Sequence, residues 1–235
     1  MKIRKSAWSI FAITALAALS IQSATADTLV YKGSAFGYVS TSGVVTTPSA
    51  ITSTPAAGGF MMENTSNSIP NDSFLAWCLD VQGWLAGTAT YNLQSAATFY
   101  PGALGAVKIS ALERLATAVL PSVNTKAESG AFQLAVWEIV NETAGPYSLS
   151  NGNFVVGTAS DGAYALANTW LANLGNGTFA ADTMTLSVWA DARGVTQDLA
   201  VFAPIPEPEV YAMLGLGIGF LGFMSRRRKS QGVTA

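Results

Sequence analysis

Apolar residues recur at two spacings along this chain, and the points where the spacing changes divide it into strands, helices and strands again. Residues 28–40, opening with Thr28-Leu29-Val30-Tyr31 and closing with Tyr38-Val39, are rich in the β-branched and aromatic side chains that suit a strand. The stretch 40–58 is mostly Ser, Thr, Gly, Pro and Ala and reads as a loop or a weak edge hairpin. Strands are expected at 58–63 and again from Phe74 to about Val81. The spacing then lengthens to that of helices. Ser110-x-x-Glu113 spells a capping box that would open a helix stopping at Pro121. Thr125-x-x-Glu128 spells a second box, opening a helix to about Glu142 with Phe132, Val136, Ile139 and Val140 on one face. A third helix is expected over 161–174, capped by Ser160 and ended by Gly175, with Tyr164, Ala167, Leu171 and Leu174 toward the core. Alternation returns at 183–190, where Met184, Leu186 and Val188 interleave with Thr185, Ser187 and Trp189, and at 195–202. This order predicts an α+β fold, a β-sandwich or barrel with an inserted helical lobe.

The two ends follow other rules. Lys2, Arg4 and Lys5 precede an apolar run over 7–21 and an Ala24-Thr25-Ala26 cleavage site, the layout of a secretory signal peptide over 1–26. The mature domain then spans 27–203. Beyond it stand Pro206-Glu207-Pro208, an uncharged apolar run over 210–224, and Arg226-Arg227-Arg228-Lys229. At about 1.5 Å of rise per residue the run is a short membrane helix, and the basic cluster behind it would stay cytoplasmic. This tail over 204–229 resembles the PEP-CTERM sorting signal of Gram-negative bacteria that make exopolysaccharide. The resemblance implies an exosortase-type processing enzyme as partner. It also implies export through the inner membrane, transient anchoring by the C-terminal helix, and a final place at the cell surface or outside the cell.

Charge separates once the ends are removed. Of 12 basic and 14 acidic residues, the stretch 27–205 keeps five and twelve. So acidic a domain is a poor partner for nucleic acid; its charge serves either solubility or attraction to a basic, Lys-rich partner, and charge alone does not choose between them. The chain has no histidine, which removes Ser-His-Asp and Cys-His catalysis and His-ligated metals. Its lone cysteine, Cys78, removes internal disulfides and Cys-based zinc sites, so neither metal nor cofactor is expected. A single thiol in an exported protein is exposed to oxidation unless it is buried or used.

Cys78 stands in Trp77-Cys78-Leu79, and downstream runs Phe132-Gln133-Leu134-Ala135-Val136-Trp137. The two segments resemble the aromatic-Cys-hydrophobic and hydrophobic-Gln-x-x-hydrophobic-Trp motifs of thioester domains in bacterial surface adhesins. The resemblance implies a thioester between Cys78 and Gln133, sheltered by Trp77, Leu79, Phe132, Val136 and Trp137. A partner's amine, such as a lysine, would displace the thiol and leave an amide crosslink. Such a protein is a one-shot covalent adhesin, not an enzyme. Two other readings stay open on the residues alone. One is a non-covalent structural protein of an exopolysaccharide or biofilm matrix, with Cys78 inert. The other is a carbohydrate-binding module or glycosidase, in which Trp84, Tyr91, Tyr100 and Tyr147 offer platforms for sugars and Asp80, Glu138 and Glu142 supply carboxylates.

Overall fold

The computed structural model describes residues 26–47, 54–66 and 72–205, together with 216, 218 and 220. The signal-peptide segment, Ala26 apart, lies outside these residues, as do Pro206, Glu207, Pro208, Arg226, Arg227 and Arg228. Of the apolar run 210–224 only Leu216, Ile218 and Phe220 are described, and they are helical. Among the described residues no helix is long and apolar enough to cross a membrane.

The chain forms β1 (Asp27–Ser34), β2 (Val39–Ser42), β3 (Val45–Thr46), β4 (Ala56–Ala57), β5 (Phe60–Asn64), β6 (Ser73–Cys78) and β7 (Thr88–Ser95). Helices α1 (Ala96–Phe99), α2 (Gly102–Val119) and α3 (Lys126–Asn141) follow. Then come β8 (Phe154–Val155), β9 (Thr158–Ala159), α4 (Ala163–Gly175), β10 (Met184–Asp191) and β11 (Leu199–Pro204). Six strands close a barrel in the order β1-β5-β6-β11-β10-β7, each neighbouring pair antiparallel. Closure removes the unpaired edges that an open sheet would expose. Helices α1 to α4 are inserted between β7 and β10, and the short strands β2, β3, β4, β8 and β9 pair outside the barrel. Of the two forms expected, sandwich or barrel, the sheet is a barrel, and helices stand between its strands in sequence.

Helix α3 runs through the middle of the domain. Every residue from Ser129 to Ile139 is buried, not one stripe of them, and the helix packs against α2, α4, β4 and β6. A helix enclosed on every side must satisfy the polar side chains it buries, and Ser129, Gln133 and Glu138 each accept a backbone N–H. Gly130 makes the fit possible, since a Cβ there would come within 2.4 Å of the Val39 side chain. The Thr125 capping box forms in full: Glu128 N donates to Thr125 Oγ1 at 3.2 Å, and Thr125 N donates to the Glu128 carboxylate at 3.0 Å. Thr125→Ala is expected to cost about 1 kcal/mol in chemical denaturation; a change of only a few tenths would show that the central helix does not depend on its cap.

Other expectations shift. The Ser110-x-x-Glu113 pattern is not a capping box, because α2 has already begun at Gly102 after the extended Pro101. Glu113 instead accepts a hydrogen bond from Leu186 N at 2.9 Å and ties α2 to β10. Ser160 is not the cap of α4. Residues Ser160–Gly162 form a single 3-10 turn, with Asp161 and Gly162 at φ of 59° and 79°, and the helix starts at Ala163. The strand expected over 28–40 breaks after Ser34, and β2 leaves the barrel to pair with β4 and β9. Strand β7 carries so few large apolar residues that its alternation is faint, yet it pairs with both β1 and β10.

Candidate functional site

Cys78 is the last residue of β6, and β11 opens beside it. The two strands pair only at Cys78–Leu199 and Trp77–Ala200. The contact continues as a clasp of hydrogen bonds, with Leu79 N donating to Asp198 O at 2.9 Å and Asp198 N to the Asp80 carboxylate at 2.7 Å. This register carries Gln197, just ahead of β11, diagonally across from Cys78. The Cys78 thiol donates to Gln197 Oε1. The other end of that carboxamide is held as well: Gln197 Nε2 donates to Gly83 O at 3.0 Å and to Asp80 O at 3.4 Å.

The residue expected at the sulfur, Gln133, occupies a different place. Its Oε1 accepts from Cys78 N at 2.9 Å, and its Nε2 donates to Cys78 O at 2.8 Å. The physical reason is local. The end of β6 turns one residue's N–H and C=O toward α3, away from any strand partner. A carboxamide, with one acceptor and one donor side by side, serves that residue as a neighbouring strand would. Both ends of the Gln133 amide are therefore committed to the Cys78 backbone, while the Cys78 side chain faces Gln197.

The expected surroundings are buried around this pair. Trp77 packs on Phe132 with ring centroids 4.6 Å apart, and Phe132 meets Phe202 at 5.7 Å. Gly59 makes room for the indole: a Cβ there would lie 2.7 Å from the Trp77 ring. Leu79 and Val136 are core residues. Trp137 is buried and lines a cleft of about 490 Å³ that also takes in Cys78, Gln197, Tyr31, Tyr38 and Trp84. The Tyr31 and Tyr38 hydroxyls bond to each other at 2.8 Å. Of the four aromatic residues considered as sugar platforms, Trp84 is the exposed one, at 89 %; Tyr91 is fully buried, and Tyr100 and Tyr147 are partly so.

Burial pushes the Cys78 thiol well above its ordinary pKa, and the Asp80 charge adds to the rise. The group is therefore a thiol at neutral pH, and only what is already held against it is placed to react. The three carboxylates weighed for hydrolysis are occupied otherwise and do not line the cleft. Asp80 accepts from Asp198 N, Glu138 from Ser148 N at 2.7 Å, and Glu142 from Asn153 N and Phe154 N.

Glu138 carries a testable consequence. Burial, opposed by the Ser148 hydrogen bond and reinforced by the Glu142 charge, moves its pKa from 4.5 up to about 8. Between those values the folded chain holds a proton that the unfolded chain releases. Its contribution to stability is complete below about pH 4.5 and drains away as pH rises to about 8. Urea midpoints of the wild type are expected to fall across that window. Glu138→Gln, which keeps an acceptor for Ser148 N and cannot ionise, is expected to flatten the fall; an unchanged slope would assign the pH dependence elsewhere.

Gln197 and the Tyr31–Tyr38 pair were not singled out by the sequence. The available signal was a count: Gln82, Gln94, Gln133 and Gln197 are the glutamines between 27 and 205.

Comparison with known proteins adds the following. Residues 204–229 match the PEP-CTERM protein-sorting motif, which marks an exported protein bound for the cell surface. No curated protein matches the sequence. Among solved structures, the N-terminal thioester domain of a surface protein from Clostridium perfringens is 16 % identical with a TM-score of 0.44, over 76 % of this chain and all of that one. The N-terminal domain of the Streptococcus pyogenes pilus tip adhesin Cpa is 11 % identical with a TM-score of 0.42, over 72 % of this chain and 93 % of that one.

Proposed function

We propose that this chain is an exported surface adhesin that bonds covalently to an amine-bearing partner through a thioester between Cys78 and Gln197. The observation that carries the reading is the seating of the Cys78 thiol against the Gln197 carboxamide in the lining of a cleft, with the Gln197 amide nitrogen and the Cys78 backbone each held by further hydrogen bonds. Gln133 is the positioning residue that holds the Cys78 backbone.

The chemistry follows from that placement. Cys78 Sγ attacks Gln197 Cδ; the S–C bond forms, the C–N bond breaks, and ammonia leaves with the thiol proton. Amides resist thiols in solution, so the reaction depends on enforced proximity, which can supply an effective molarity of roughly 10⁵ M or more. Trp77, Phe132 and Trp137 keep water from the product on the inner side. A neutral amine entering the cleft then attacks the same carbon. The C–S bond breaks, the departing sulfur takes the amine's proton, and a stable amide remains. The raised thiol pKa favours that final protonation. One bond forms per molecule, so the protein acts once. In this reading an exosortase-type enzyme processes the 204–229 tail while the 210–224 run holds the protein at the inner membrane.

Intact mass tests the proposal. Purified wild-type protein is expected to weigh one ammonia less than its sequence, and methylamine to add once, at Gln197. Cys78→Ala is expected at full mass and inert to methylamine. A wild type of full mass, whose Cys78 alkylates on unfolding, would sink the reading in favour of a matrix protein with a passive cysteine.

A further inference from the structure

We infer that the cleft takes an amino sugar of a polysaccharide, so that Gln197 is transferred to an amine borne on a sugar ring. This rests on the thioester reading above and adds the class of its target.

Three features of the cleft carry the inference. First, none of the described residues that line it is charged. A site built to receive a protonated lysine would gain from a carboxylate at its mouth, and the one two residues along from Cys78, on Asp80, accepts from Asp198 N instead. Second, the lining joins flat apolar surfaces to a few fixed polar atoms. Trp84 stands at the rim, 89 % exposed, and its backbone is tied to the Gln197 segment by Thr196 Oγ1 donating to Trp84 O at 2.9 Å. Inside are the paired Tyr31 and Tyr38 hydroxyls and the buried Trp137 indole, whose N–H meets no acceptor among the described residues. Apolar faces with sparse donors and acceptors suit a ring that has an apolar face and a hydroxylated edge. Third, about 490 Å³ exceeds what one lysine side chain fills.

Reactivity points the same way. Only a neutral amine attacks the carbonyl. A lysine amine, with a pKa of about 10.4, is almost wholly protonated near neutral pH. An amine flanked by ring hydroxyl and acetal oxygens is less basic, because those oxygens withdraw charge, and a larger share is ready to react. A polymer of such sugars is still cationic as a whole. The mature domain, with twelve acidic residues against five basic ones over 27–205, would draw it in. In the transfer the sugar nitrogen bonds to Gln197 Cδ, the C–S bond breaks, and Cys78 takes the amine proton, with no further reactant.

The test offers the purified wild-type protein a glucosamine oligomer, its fully N-acetylated counterpart, a peptide with one lysine, and methylamine, each followed by intact mass and by mapping of Gln197. The glucosamine oligomer is expected to attach roughly tenfold faster than the lysine peptide at equal total amine. The N-acetylated oligomer, which has no amine to give, is expected to slow that attachment by occupying the cleft. Trp84→Ala should lower the rate with the glucosamine oligomer relative to the rate with methylamine. If methylamine and the lysine peptide attach while the sugar holds no advantage, or the N-acetylated oligomer does not compete, the sugar assignment is overturned and the target is a protein amine. If methylamine itself fails to attach, the thioester reading falls and this inference with it.

Discussion

Gln197→Ala will be found at full mass, with a titratable Cys78 thiol after unfolding and no adduct from any amine. Without the carboxamide there is no carbonyl for the sulfur to reach. The loss is expected to be complete, because a thioester either forms or does not. The result also decides between two glutamines. Were Gln133 the acyl donor, Gln197→Ala would still lose ammonia and still capture methylamine. The geometry argues against that outcome: a Gln133 that rotated to meet the sulfur would abandon Cys78 N and Cys78 O, both buried and both paired with it now. Intact mass of Gln197→Ala, with and without methylamine, decides the assignment.

Gln133→Ala should instead damage the fold. It orphans a buried N–H and a buried C=O at the end of β6, each costing about 1–3 kcal/mol when left unsatisfied, and it empties volume in the most enclosed helix of the domain. A loss of roughly 2–5 kcal/mol in urea or thermal unfolding is expected, large against the whole stability of a typical domain. Thioester yield should fall too, since Cys78 loses the contacts that fix its backbone. A loss below about 1 kcal/mol would mean that the paired hydrogen bonds are easily replaced by water, and the positioning role would be lost with them.

The sequence was legible where local rules decide. The Thr125 box set the start of α3 because its two hydrogen bonds are made within four residues. The return to strands at Met184 was visible because Met184, Leu186 and Val188 alternate with polar neighbours. Ser110 and Glu113 misled because the same pattern arises inside a helix whose glutamate has a tertiary partner, Leu186 N. The site divides in the same way. Cys78 and its aromatic shelter are written in short motifs, and so is Gln133, although its role is not. A motif records that a glutamine is required; it does not record whether the amide meets a backbone or a sulfur. Gln197 was hidden because its nearness to Cys78 is a product of β6–β11 register, and no neighbouring residue encodes a strand pairing so distant in the chain. Nothing in Thr196-Gln197-Asp198 distinguishes it from a surface turn.

The place of Gln197 at the threshold of β11 bears on how the molecule would carry tension. In the proposed reading a captured partner would pull at residue 197, and the sorting motif, which would hold the other end until it is processed, begins at 204. The pull would then run along β11 alone, through a few covalent backbone links. The other five barrel strands and the helical lobe lie outside that path. Drag on the partner could loosen or even unravel the rest of the domain without lengthening the tether or breaking it. An acyl bond on α3 would have placed much of the fold in series with the load. Joined at Gln197, the protein would hold as firmly as its backbone, however modest the stability of the structure that made the bond.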